Sequence, residues 1–155
     1  MLKTRTRNHA LSKAAASLCL VIGALASTAA WAQLPPTQTQ NGVEYVSGGI
    51  GKEESDAFKA AQSQYPLALT FASQAQGSPA VAYAGNVQVV VRDEHDANVL
   101  NVTSPGPLFL ARLSPGKYKV FATYEGETQS KQITIASEGS VDIRFLWKRP
   151  ASGAD

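Results

Sequence analysis

The chain is 155 residues long, enough for one domain with a modest core, and carries 14 basic and 12 acidic side chains. Lys3, Arg5, Arg7 and Lys13 all fall in the first 32 residues, which contain no acid, so 10 bases face 12 acids in the remainder and the net charge there is −2. That balance excludes the basic field which nucleic acid or an anionic membrane surface requires.

The first 32 residues read as a secretory signal peptide. Basic MLKTRTRNHALSK precedes an apolar run from Ala14 to Ala30, and Ala30-Trp31-Ala32 before Gln33 has the A-x-A form of a cleavage site. The run is short for a membrane anchor and rich in Ala and Ser, so cleavage after Ala32 is predicted, with no membrane span afterwards. Thr6 separates Arg5 from Arg7, which does not indicate the twin-arginine route. The style of the leader is bacterial and places the protein in the periplasm or outside the cell. Cys19, the single cysteine, is an apolar residue of the leader, because Ala16-Ser17-Leu18 before it lacks the order of a lipobox. A mature chain without a thiol has no disulfide, no cysteine-ligated zinc and no cysteine nucleophile.

Residues 33–42, QLPPTQTQNG, are polar, contain Pro35-Pro36 and have no apolar period; they are expected to form a linker. Val43 to Val46 predicts a short strand ending at Ser47-Gly48-Gly49-Ile50-Gly51. One helix is predicted, over 52–65. Phe58, Ala61 and Tyr65 recur at i, i+3 and i+7, Glu53, Glu54 and Asp56 suit the dipole of the first turn, and Pro66 ends it. A stripe this narrow requires the helix to dock.

Strand signals fill the rest. Pro66 to Ala72 places Leu67, Leu69 and Phe71 on one face, and Ser73 to Ala82 reads as a loop. Asn86 to Arg92 turns Val87, Val89 and Val91 inward; Asp93 to Asn98 is a polar turn, and Val99 to Thr103 returns. Pro107 to Leu113 leads into Ser114-Pro115-Gly116-Lys117, which has the Pro and Gly placement of a type II turn. Beyond it Tyr118, Val120, Ala122 and Tyr124 alternate with Lys117, Lys119, Phe121 and Thr123. Thr128 to Ala136 turns Ile133 and Ile135 to one face, and Ser140 to Trp147 does the same with Val141, Ile143, Phe145 and Trp147. Glu125-Gly126 and Glu138-Gly139 are expected to close tight hairpins. The fold class is mainly β: a seven- or eight-stranded antiparallel sandwich over 43–148 with one short helix, and residues 149–155 as a disordered tail.

Val87-Gln88-Val89-Val90-Val91-Arg92-Asp93, then Gly106, then Leu113-Ser114-Pro115-Gly116-Lys117-Tyr118-Lys119-Val120 resemble the carboxypeptidase regulatory-like domain, a transthyretin-like (prealbumin-like) Greek-key sandwich. The resemblance spans Val87 to Ile135, about a third of the chain, and the whole chain is similar to small secreted proteobacterial proteins with this domain. It implies a non-catalytic accessory module. The helix and the Gly-Gly-Ile-Gly stretch before it depart from that domain.

Gly48-Gly49-Ile50-Gly51-Lys52 lacks the first Gly and the Ser or Thr of a phosphate loop, so it is read as a tight glycine turn. Asp93 and Asp96 are candidate metal ligands beside His95, without EF-hand spacing, in what is read as a solvated turn. Transthyretin-like hydroxyisourate hydrolases use several histidines, an arginine and a C-terminal Tyr-Arg-Gly-Ser; this chain keeps only His95 after cleavage and ends FLWKRPASGAD. No enzyme is expected, and no cofactor. Phe121 and Leu146, with Phe109, fall on the face opposite the core set. The helix stripe is expected to cover these three; if it docks elsewhere, they become the binding surface. The functional expectation is a non-enzymatic periplasmic or secreted module with a binding or assembly role in the cell envelope, its partner an envelope protein or a second copy. The alternatives are a carbohydrate- or cell-wall-binding module and, more distantly, a hydrolase.

Overall fold

The computed structural model describes residues 33–151; the leader, with Cys19 and the cleavage position, and residues 152–155 lie outside the described residues. Ten strands form among them, not seven or eight. They are β1 (Gln38–Gln40), β2 (Val43–Gly48), β3 (Leu67–Ala75), β4 (Val81–Tyr83), β5 (Val87–Asp93), β6 (Asn98–Ser104), β7 (Leu108–Ala111), β8 (Gly116–Tyr124), β9 (Glu127–Ile135) and β10 (Val141–Arg149). The single α-helix among the described residues, α1 (Lys52–Ala61), continues as a 3-10 turn over Gln62–Gln64. Six strands make one sheet in the order β1-β2-β7-β3-β10, with β4 extending the β7 side of β3; the other sheet runs β6-β5-β8-β9.

Period-two alternation aims both sheets at one core. Leu67, Leu69, Phe71, Phe109, Phe145 and Trp147 from the first meet Val87, Val89, Val91, Leu100, Val120 and Ala122 from the second. The aromatic part is a chain of rings: Phe71, Phe145 and Trp147 lie 6.0–6.4 Å apart, and Tyr124 is 5.4 Å from Trp147. A second, smaller core lies on the outer face of the six-stranded sheet. There Phe58 and Tyr65, with Ala61 at the margin, pack on Val46, Ala68, Leu108 and Leu110. Ten residues are too few to hold a helix in water, so its stability comes from this docking. Phe58, fully buried, supplies about 1.5–3 kcal/mol of it.

Several expectations need correction. Residues 33–42 are not a linker: Asn41 and Gly42 take φ of 50° and 78°, the two left-handed residues of a hairpin turn, and pair β1 with β2. The 73–82 loop is shorter than expected, because β3 runs to Ala75 and β4 pairs back on it through Tyr83 with Ala72 and Val81 with Gln74. Ser114-Pro115-Gly116 makes no type II turn. The segment crosses from β7 in one sheet to β8 in the other, Gly116 takes φ 156° rather than the value of about 80° that a type II turn needs, and the Tyr118 hydroxyl donates to the Ser114 carbonyl at 2.7 Å. Glu138-Gly139 likewise crosses between sheets, whereas Glu125-Gly126 closes the expected β8–β9 hairpin. The sandwich is not wholly antiparallel, since β10 lies parallel to β3 from Val141 opposite Leu67 to Arg149 opposite Ala75. Arg149 is therefore strand rather than tail.

Gly106 shows how closely the chain approaches itself. A Cβ there would fall on the backbone carbonyl of Gly48, which has no flexible end to yield. Gly106→Ala is predicted to cost at least about 2 kcal/mol of stability in a denaturant titration.

Candidate functional site

The glycine turn before α1 folds onto an acid. Glu54 Oε1 accepts from the Gly49 amide at 2.6 Å and the Ile50 amide at 3.4 Å, and Ser55 Oγ donates to the Gly49 carbonyl at 2.7 Å. The amides that a phosphate would use are bound by the chain's own carboxylate. Lys52 pairs with Asp56 one turn on, at 2.6 Å; that contact raises the lysine pKa and lowers the aspartate's.

The Asp93–Asn98 turn is built in the same way. Asp93 Oδ1 accepts from the amides of His95, at 2.8 Å, and Ala97, at 3.0 Å, and Asp96 sits at φ 60°. One Asp93 oxygen thus shapes the turn, and among the described residues no group of three or more His, Cys, Asp or Glu side chains is placed to hold a metal ion. His95 stands exposed, and among the described residues its imidazole bonds no serine hydroxyl. This turn, Lys117 and Tyr118 frame an open depression of about 460 Å³. Burial of the Tyr118 ring, then the nearby charges of Asp93 and Glu94, hold its phenol above the ordinary range.

Phe109, Phe121 and Leu146 are not brought together. Phe109 is fully buried between the sheets and stacks on Tyr45 at 5.5 Å; its neighbours Leu108 and Leu110 face the helix instead. Parity within β7 was unreadable because all four of its residues are apolar. The helix does close a second core, as expected, but over Leu108 and Leu110 rather than over these three. Phe121 lies half-buried on the outer face of the four-stranded sheet, with the Arg92 guanidinium 5.0 Å and the Lys119 ammonium 5.2 Å from its centroid. Leu146 lies on the outer face of the other sheet, in register with Ala72 and through it with Tyr83.

Two surfaces remain that sequence reasoning did not assemble. The first is the strip Leu146, Ala72 and Tyr83 with Val81 in the next row; Tyr83 and Val81 are 58% and 54% exposed. It borders the free edge of β4. Ala84 donates to Phe71 at 3.0 Å, which by alternation turns the N–H and C=O groups of Val81 and Tyr83 away from β3. The Val-Ala-Tyr alternation within the assumed loop was the available signal. The second surface is the open face around Phe121, whose cations became visible only through register: Arg92 lies opposite Lys119, and Val90 opposite Phe121.

No family model matches the chain, and no curated protein matches it. Among the described residues no helix is long and apolar enough to cross a membrane.

Two expectations separate these roles. Phe58→Ala is predicted to lose about 3 kcal/mol in thermal or chemical unfolding, while Phe121→Ser loses less than about 1 kcal/mol, because only Phe58 fills a core. For Tyr118 the folded chain holds the phenolic proton more tightly than the unfolded one. Its contribution is complete below the unfolded pKa of about 10 and is lost as pH rises through the higher folded value. Stability measured from pH 8 to 11 will fall more steeply in the parent than in Tyr118→Phe.

Proposed function

We propose that this protein is a non-enzymatic β-sandwich module of the transthyretin-like, carboxypeptidase regulatory-like kind. The leader 1–32 delivers it to the periplasm or beyond, where it serves binding or assembly in the bacterial envelope. The motif run from Val87 to Val120 and the two-sheet architecture support the family reading. The open edge of β4 carries the functional one.

The other strand edges among the described residues are partly covered by side chains or wholly polar. Gln40 gives its amide to the Asn101 carbonyl and accepts from the Asn101 amide, at 3.2 and 2.6 Å, as a strand would on the β6 edge. Gln129 and Lys131 of β9 donate to the Leu146 and Arg144 carbonyls of β10, and Trp147 returns a bond to Glu127. β1 has three residues, all polar. Among the described strands β4 alone presents outward backbone groups beside exposed apolar side chains, and no charged residue occurs from Ala60 to Val91 to discourage pairing. Such an edge accepts an extended segment of an envelope protein or the β4 of a second copy.

Val81→Lys places a charge at that edge while leaving β3 and the core alone. Unfolding should shift by no more than about 0.5 kcal/mol, while crosslinking in intact cells loses the species captured by the parent. A partner or oligomer that survives Val81→Lys unchanged would place the contact away from β4 and overturn the assignment.

A further inference from the structure

The outer face of the four-stranded sheet takes no part in that reading and lies on the other side of the sandwich from the Leu146–Tyr83 strip. We infer that this face binds an acidic polysaccharide, a chain of sugar rings carrying carboxylates or comparable anionic groups.

Charge is the first ground. The described chain has more acids than bases, yet no Asp or Glu falls on the outward rows of this sheet, while Arg92, Lys117 and Lys119 all do. Among the described residues none of these three cations is in an ion pair. The Arg92 Nε–H donates to Asn98 Oδ1 at 3.0 Å and its guanidinium lies over Phe121, so the group is held in place with its terminal nitrogens available. Cations free of direct ion pairs on an exposed face fit an anionic chain, and the acids of the Asp93–Asp96 turn lie at the end of that face beside Lys117 and Lys119.

The rest of the face points to a sugar. Apart from Val90 and Phe121, the other outward positions are Ser, Thr, Asn or Gln, side chains that both donate to and accept from hydroxyls. None of the outward positions is buried. Phe121, half-buried between its two cations, offers one apolar ring at the centre. From Lys117 to Thr123 the face runs about 20 Å, and its four strands span about 14 Å, room for several sugar rings. A single aromatic does not make the succession of stacking platforms that single-stranded nucleic acid uses. Trp147, the larger aromatic, is fully buried and contributes nothing here.

Calorimetric titration of the purified protein with polygalacturonate, neutral dextran and oligo(dT) tests the inference. Polygalacturonate should bind, and binding should weaken as salt rises. Arg92→Glu and Lys119→Glu should each lower affinity on the order of tenfold, with Lys117→Glu as the exposed variant should either fail to fold. Lys148→Glu on the opposite sheet and Val81→Lys at the β4 edge should bind as the parent does, which keeps this test separate from that of the edge. Absence of polygalacturonate binding, an equal loss in Lys148→Glu, or binding of dextran or oligo(dT) as tight as that of polygalacturonate would each overturn it.

Discussion

Leu108, Phe109, Leu110 and Ala111 are all buried, and a strand with four consecutive buried side chains has to be covered on both faces. The four-stranded sheet covers the Phe109 and Ala111 side. The Leu108 and Leu110 side is closed by Phe58 and Ala61 of the helix with Tyr65 and Leu34 beside them, and this docking is why ten residues of weak intrinsic helix are folded at all. Val46 and Ala68 on the flanking strands share that requirement and widen the cover. The polarity of the molecule follows. One sheet is buried on its inner face and capped over part of its outer face; the other is buried on one side and open to water on the whole of the other.

Chain entry and exit around α1 are fitted to this docking. Glu54 and Ser55 tie the glycine turn to the first helical turn, and Arg112, leaving β7, donates to the Gln64 carbonyl at 3.2 Å while its guanidinium lies 4.3 Å from the Tyr65 ring centroid. Both ends of the helical segment are thus held by side chains from the sheet side or from its own first turn. Edge management uses the same economy of means: an amide from Gln40, another from Gln129 and an ammonium from Lys131 each stand in for a missing strand.

Most of the strands were legible in the sequence because period two is a local signal. Val87, Val89 and Val91, or Val141 through Trp147, identify their faces without any neighbour. What was not legible depended on pairing between distant segments. β3 and β10 alternate as well in a parallel pair as in an antiparallel one, so nothing in Leu67–Phe71 or Ile143–Trp147 reveals the direction. The Ser114-Pro115-Gly116 and Glu138-Gly139 segments have turn chemistry that serves a sheet crossing as well as a hairpin. The linker reading passes over Asn41-Gly42, a short hairpin signal, because polar Gln38-Thr39-Gln40 beside it lacks the apolar alternation that marks a strand. Of the candidate site, Phe121 and Leu146 were placed on outer faces correctly, while their separation onto different sheets, the two cations beside Phe121 and the β4 edge all required the register.

The parallel pairing of β10 with β3 also sets when the fold can form. Residues joined in this ladder stand 74 positions apart throughout, as Val141 with Leu67 and Arg149 with Ala75. Closing so long a loop costs entropy before any contact repays it, and contacts of this separation belong to slow-folding topologies. Phe145 and Trp147, which complete the ring chain on Phe71, arrive with the last strand of the sheet. A chain emerging from its N-terminal end therefore carries an unfinished core and a bare β3 edge until residues near 149 are available. Completion of the sandwich is held back until those residues have been made, and this part of the nascent polypeptide stays open until then.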